Sequence, residues 1–331
     1  MRRINFTPAL IAHGGAGGLA QAAERPSRKR GLLSAVERGA GILREGGSAL
    51  DAVIATVSAL EDDGLFNAGY GSVLTTAGRP EMDAGVMVAE RAASAPAGGN
   101  TRRRVTLRAG GVVLVSRVRN PIQLARAVME RTPHVLVGGV AAERIARQAG
   151  LRLCRPDQLV SPRARERWLA TRRSLAPSAN NTNQHGTVGA VAVDSRGNLA
   201  AATSTGGVTG KMPGRIGDSA IIGAGLFANA AGAASATGSG EAIMKVALCR
   251  EAVLALSRKR AQEAAVLRIA DLHAETGAEA GIILVDEHGH FGYAHNAPAM
   301  EVAMFDPVGG VRHLLAGRLE LARERDGIGN R

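Results

Sequence analysis

In NQHGTVGAVAVDSRGNLAAATSTGGVTGK, residues 183–211, a lone threonine follows a glycine at the mouth of an apolar run. A threonine hydroxyl is a poor nucleophile unless a base takes its proton. His185 stands two residues before Thr187, and on an extended chain that spacing does not by itself aim an imidazole at the hydroxyl. The other available base is the threonine's own α-amine, whose reference pKa near ~8 suits neutral pH. That chemistry requires Thr187 to be an N-terminus. Gly186 permits it, because glycine tolerates the strained backbone in which the Thr187 hydroxyl reaches the preceding carbonyl. An acyl shift followed by hydrolysis would then cut the chain between Gly186 and Thr187.

Competing chemistries are poorly supported. GGVTGKM (206–212) is one residue short of a phosphate loop, and Met212 stands where a Ser or Thr would ligate magnesium. HGGAGG follows a strand without completing a G-x-G-x-x-G dinucleotide fingerprint. His288 and His290 flank a hairpin turn with no further ligands nearby, and Cys154 and Cys249 lack C-x-x-C spacing. The net charge of +12 raises nucleic acid as a partner, but the excess is nearly all arginine, only Lys29, Lys211, Lys245 and Lys259 being lysines. With 2% aromatic residues there is little on which to stack bases, so no nucleic-acid partner is expected. No apolar run approaches a membrane span, and the reading is of a cytoplasmic protein with no membrane partner.

The elements that must position Thr187 are legible in outline. A short buried strand from about Ala9 to Ala12 runs into a glycine-rich turn. One helix carries Leu32, Leu33, Val36, Ala40 and Leu43 on a face, and Ser48 caps a second bearing Ala52, Val53, Val57 and Leu60. MDAGVMVAE and GGVVLVSRV read as strands, NPIQLARAVMERT as a helix with proline in its first turn, and 137–149 as helix. From Arg155 to His185 periodicity weakens, and the stretch reads as a mobile linker with a short helix near Trp168. TVGAVAVD and NLAAATST form a hairpin about SRG, AIIGAGLFA a strand, Glu241 to Leu256 a helix, and GIILVDEHGHFGYAH a closing hairpin. Antiparallel sheets with helices packed outside them suit this order better than a doubly wound parallel sheet.

The blocks AHGGAGG, LFNAGYGSVLT, MDAGVM, HGTVGAVAVD, TSTGG, GRIGDS, GAGLFAN and ATGSGE together resemble the plant-type asparaginase and isoaspartyl peptidase family of N-terminal-nucleophile hydrolases. They cover the chain from residue 12 to about 256, with a weaker match beyond. The resemblance implies an α+β fold, a four-layer αββα sandwich with two antiparallel sheets between helical layers. It also implies a single domain matured into an α subunit, 1–186, ending in a linker of about 155–186, and a β subunit, 187–331. The implied activity is hydrolysis of L-asparagine and β-aspartyl dipeptides to L-aspartate through a threonine ester; glycosylasparaginase and a non-catalytic binding protein on this fold are the alternatives.

Residue by residue, the resemblance makes Thr187 the nucleophile and Thr205 its hydrogen-bonded neighbour. Arg215 and Asp218, an opposite-charge pair, hold the substrate α-carboxylate and α-ammonium. Thr237 and Gly238 form the oxyanion hole, Gly240 continues the pocket wall, and Asn67 supports the nucleophile. No cofactor is implied for catalysis. A structural sodium ion is implied on the carbonyls of Leu60, Glu61, Asp63, Phe66, Ala68 and Tyr70. The implied partners are a small-molecule or dipeptide substrate and, from one precursor, a dimer of heterodimers. Two stretches depart from the family: an Arg-rich insertion at 89–111, and a linker, PSANNTNQHG, that matches poorly.

Overall fold

The fold was analysed in a computed structural model that describes residues 6–18, 20, 22–92, 105–173 and 186–319. One sheet contains β1 (Ala9–Gly17), β2 (Met82–Arg91), β3 (Val105–Val115), β4 (Leu136–Gly138), β5 (Val188–Val193) and β6 (Leu199–Thr205). A second contains β7 (Leu226–Ala228), β8 (Gly232–Gly238), β9 (Ala280–Asp286) and β10 (Phe291–His295), while β11 (Ala299–Asp306) and β12 (Gly310–Leu315) return to the first. The spatial orders are β12-β11-β1-β5-β6-β2-β3-β4 and β10-β9-β8-β7. Helices α1 (Arg25–Arg44), α2 (Ala49–Asp63), α3 (Pro121–Arg131) and α4 (Gly139–Gln148) cover the outer face of the first sheet. Helices α6 (Gly240–Val246), α7 (Leu248–Ala255) and α8 (Ala261–Thr276) cover that of the second, and α5 (Pro162–Arg173) lies outside both layers. The architecture is therefore the four-layer αββα sandwich.

Strand parity builds the layers. Successive side chains on a strand face opposite ways. Leu10, Ala12, Val188, Ala190, Ala200 and Ala202 accordingly enter the core under α1–α4, whereas Ala9, Ile11, Val191, Val193, Leu199 and Ala201 enter the core between the sheets. Because both faces are covered, these strands read as continuous apolar runs instead of alternating ones. On the inter-sheet face the same parity continues into a polar set at one end: His13, Thr187, Thr203, Thr205, Ser235 and Thr237, all buried. A one-residue slip of β5 would exchange its two faces and carry Thr187 out of this set.

Local signals behave as their chemistry requires at the helix ends. The Ser48 hydroxyl accepts the Asp51 N–H at 3.0 Å to start α2, which stops at Gly64 in the left-handed region, φ 78°. Other expectations need correction. The first strand runs through the glycines to Gly17, with a bulge where its register against β11 shifts after His13 and with Gly15 at φ 108°, so the glycine run bends a strand and is not a turn. β4 pairs parallel to β3, which makes the larger sheet mixed. AIIGAGLFA supplies only the three residues of β7, and the helix expected over 241–256 is broken at Ala247, φ 49°, into α6 and α7. Helix α8 and strands β11 and β12 lie beyond the expected elements. The 89–111 stretch is strand at both ends, within β2 and β3, and its residues 93–104 lie outside the described residues. Within 155–186, α5 is a twelve-residue helix including Trp168, while 174–185, His185 among them, lie outside the described residues.

Candidate active site

Register brings the two threonines together. Val188 pairs with Ser204 across the β5–β6 hairpin, so the next antiparallel pair outward sets Thr187 opposite Thr205. The Thr187 hydroxyl donates to Thr205 Oγ1 at 3.0 Å, and the Gly207 N–H donates to the same oxygen at 2.9 Å. Asn67 braces the turn after β6: Nδ2 donates to the Gly207 carbonyl at 2.6 Å, Oδ1 accepts the Val73 N–H at 2.9 Å, and its carbonyl accepts the Gly206 N–H at 3.1 Å. A Cβ on Gly186 would sit 3.2 Å from Asn67 Cβ, so the supporting asparagine also touches the glycine ahead of the nucleophile. From the other side Gly15 presses on the same residue. A Cβ there would fall 2.6 Å from Gly186 Cα, which only glycine avoids.

The second sheet supplies the opposite wall. Thr237 Oγ1 accepts the Ala16 N–H at 3.2 Å, which leaves its own proton to donate. Gly238, at φ 132°, packs on the β9 backbone, where a Cβ would come 2.6 Å from Ala280 Cα. Thr187, Thr205, Arg215, Asp218 and Gly238 line one cleft with Gly186, and it encloses about 10 Å³. That is about the room one water needs, so with residues 186 and 187 joined an amino acid does not fit.

Arg215 and Asp218, the two expected substrate anchors, both line the cleft and meet different partners there. Arg215 Nε and Nη2 each donate to the Glu241 carboxylate at 2.9 Å, a two-pronged bond from the first turn of α6. Asp218 lies buried beneath with Oδ2 lacking a hydrogen-bond partner, and burial pushes its carboxyl up to about 7 against the pull of Arg215. The reason is reach: Glu241 is 59% exposed and closes over the guanidinium from solvent, whereas Asp218 is held from below by its own backbone turn. Gly240 packs between them, since a Cβ would stand 2.8 Å from Asp218 Oδ1 and 3.0 Å from Arg215 Nη2.

Three further residues, assigned no role in the site from sequence, join it. Asp83 pairs in register with Thr205, and its buried carboxylate accepts the Leu114 N–H at 2.9 Å and the Gly217 N–H at 3.3 Å, tying β2 to the loop that carries Arg215. An acid inside an apolar strand was the available signal. Lys211, dismissed with the failed phosphate loop, is buried and donates to the Glu81 carbonyl at 2.6 Å. His13 Nε2 lies 3.0 Å from Ser235 Oγ, which lies 2.8 Å from Thr203 Oγ1. Burial pushes the imidazole down to about 3, the Thr187 main chain opposing, so it stays neutral.

The 60–70 loop has the form of a carbonyl cradle. α2 ends there, with last-turn carbonyls that no further turn satisfies. A Cβ on Gly69 would fall 2.5 Å from the Glu61 carbonyl oxygen and one on Gly71 2.0 Å from that of Phe66. Side chains are committed elsewhere: the Glu61 carboxyl accepts Ser204 Oγ at 2.6 Å and the Ile122 N–H at 3.0 Å, Asp63 accepts the Leu65 N–H, and Tyr70 stacks under Arg119. Neutral main-chain oxygens at the negative end of a helix fit a hard monovalent cation. Among the described residues no cluster of His, Cys, Asp or Glu could hold a metal ion, and no helix is long and apolar enough to cross a membrane.

The asparaginase family matches residues 6–308. Isoaspartyl peptidase/L-asparaginase of Homo sapiens is 40% identical over 287 residues, 86% of this chain and 88% of its own length. The Danio rerio protein of that name is 40% identical over 289 residues, covering 85% and 87%. Isoaspartyl peptidase of Salmonella typhimurium is 41% identical over 308 residues, covering 88% and 93%.

Proposed function

This chain belongs to the asparaginase family, and from that premise we propose that it hydrolyses L-asparagine and β-aspartyl peptides to L-aspartate after cutting itself before Thr187. The observation that carries the reading is the 3.0 Å contact of Thr187 with Thr205 at a strand start, with a glycine directly ahead. In the uncut chain the Thr187 hydroxyl attacks the Gly186 carbonyl and the peptide C–N bond breaks, which frees the α-amine; water then opens the resulting ester, returning the Thr187 hydroxyl and leaving a Gly186 carboxylate. That amine then serves as base. A substrate places its α-carboxylate on Arg215, displacing Glu241, and its α-ammonium on the unpaired Asp218 oxygen. Thr187 Oγ1 adds to the β-carbonyl, whose oxygen takes hydrogen bonds from the Thr237 hydroxyl and the Gly238 N–H. The amine leaves with the proton, and water releases L-aspartate from the threonine ester. Thr205 orients the hydroxyl, and Asn67 and Gly240 shape the walls.

A sodium ion on the carbonyls of Leu60, Glu61, Asp63, Phe66, Ala68 and Tyr70 would hold the loop from which Asn67 projects; its contribution is positive charge at a helix C-terminus. The proposal includes pairing of the cut molecules as a dimer of heterodimers, and a cytoplasmic location in keeping with the unpaired Cys154 and Cys249. Intact-mass measurement of the purified protein tests the reading: two pieces divided after residue 186 are expected, and Thr187→Ala should stay whole. Division of the Ala variant at that bond, with no protease present, would overturn it.

A further inference from the structure

Among the described residues, Gly186 is the one that the Thr187 cleft shares with a second cavity, of about 850 Å³. Three arginines enter this cavity, Arg28, Arg163 and Arg167, against two carboxylates among its less exposed lining, Glu24 and Glu301. Arg28 Nε donates to Glu301 at 2.9 Å, and Arg28 also donates to the Leu65 and Gly14 carbonyls. Arg163 donates to the Leu65 carbonyl at 2.6 Å and to Glu24. The Arg167 guanidinium makes no such bond among the described residues. Burial lowers its pKa, Glu24 opposes that shift and the charge of Arg28 adds to it. His313 adds a buried Nε2 without a partner to the same wall. Arg25, Lys29 and Glu166 are exposed at the rim.

We propose that this cavity receives the leaving portion of the substrate, and that Arg167 selects β-aspartyl peptides whose released amino acid carries a second, side-chain carboxylate. The inference rests on the reading of Thr187 as nucleophile. With the aspartyl α-groups held at Arg215 and Asp218, the group beyond the β-carbonyl extends toward Gly186, where the cavity begins. The amide C–N bond breaks as Thr187 Oγ1 bonds to carbon; the hydroxyl proton passes through the α-amine to the departing nitrogen, and the released amino acid stays opposite Arg167 until water opens the ester. Ammonia from L-asparagine uses none of this space. Cutting after Gly186 does not release Arg167, because α5 is pinned by Arg163 and by Trp168, whose ring lies 2.8 Å from where a Cβ on Gly78 would stand.

The test compares kcat/KM of the mature enzyme on β-aspartyl-glutamate, β-aspartyl-glutamine and L-asparagine. The glutamate dipeptide should exceed the near-isosteric glutamine dipeptide by about tenfold, the scale of one charge-assisted contact. Arg167→Gln should bring that ratio to near one with L-asparagine turnover within twofold of wild type, and Arg167→Lys should keep most of the ratio. A wild-type ratio near one, or a ratio unchanged in Arg167→Gln, overturns the proposal even where L-asparagine is cleaved. If Arg167→Gln does not fold, the wild-type ratio and the Lys variant decide alone. Absence of turnover on all three substrates by properly cut protein would instead overturn the reading of Thr187, and this proposal with it.

Discussion

Two carboxylates near one guanidinium have opposite fates, and each makes a prediction. Glu241 neutralises Arg215 from an exposed position, where an ion pair is worth at most about 1 kcal/mol. A substrate carboxylate must displace it. Glu241→Gln weakens the competitor without altering the cleft, so KM for L-asparagine should fall by up to about fivefold with kcat little changed; a raised KM would show that Glu241 aids binding. Asp218 is the buried case. Its folded pKa of about 7 lies above the value of 3.8 that an unperturbed aspartate carries, so the stabilisation it gives is complete below that lower value and is lost as pH rises through 7. In the uncut Thr187→Ala protein, Asp218→Asn should therefore stabilise by an amount that grows between pH 5 and pH 8, on the order of ~2 kcal/mol. Denaturant melts at the two pH values measure this, and an equal effect at both would contradict it. Such a cost is acceptable in an unligated site because the substrate ammonium removes it.

At the scale of elements, the β5–β6 hairpin does most of the positioning. Its register, Val193 against Leu199 through Val188 against Ser204, projects Thr187 onto Thr205. Glycines then allow neighbours to close in, Gly189 against Ser235 and His13, Gly15 against Gly186. The α6–α7 break is less economical, because Ala247 adopts φ 49°, ψ 48°, a conformation that costs an L-residue roughly 1–2 kcal/mol. Glycine avoids that strain but loses more entropy on folding, by about 0.4–1 kcal/mol. Ala247→Gly should thus raise stability by about 0.5–1 kcal/mol without changing turnover. A lower Tm would mean that the Ala247 methyl packs more than it strains.

Across the whole molecule, the proposed cut falls inside a continuous sheet. β1 lies between β11 and β5, and β2 lies on β6, so strands from before and after residue 186 interleave. Both helical layers close on sheet faces to which the two pieces contribute, and burial of each large apolar side chain there is worth roughly 1.5–3 kcal/mol. The two fragments should co-elute on size exclusion in native buffer and separate only in denaturant. Separation under native conditions would contradict this topology. The arginine excess also finds use at this scale. Arg28, Arg91, Arg163 and Arg215 each bridge segments distant in sequence through a carboxylate.

What the sequence determined by itself was local. Ser48 and Gly64 bound α2, apolar runs mark the strands, and a glycine before a threonine at a strand start states a chemistry, because caps, periodicity and nucleophile activation depend on residues close in the chain. The family blocks extended this to Thr205 and Gly238, which line one cleft with Thr187, to Asn67, which adjoins Gly186, and to Thr237, which lies on the facing sheet. Only the tertiary structure decided which charge Arg215 meets, that Asp83 lies beside Thr205, that α8 and β11–β12 complete the layers, and that Arg167 lines a cavity beside Gly186. Those outcomes depend on how far side chains reach across space and on how burial raises the cost of charge. Residues 26 positions apart, like Arg215 and Glu241, carry no record of either in their order along the chain.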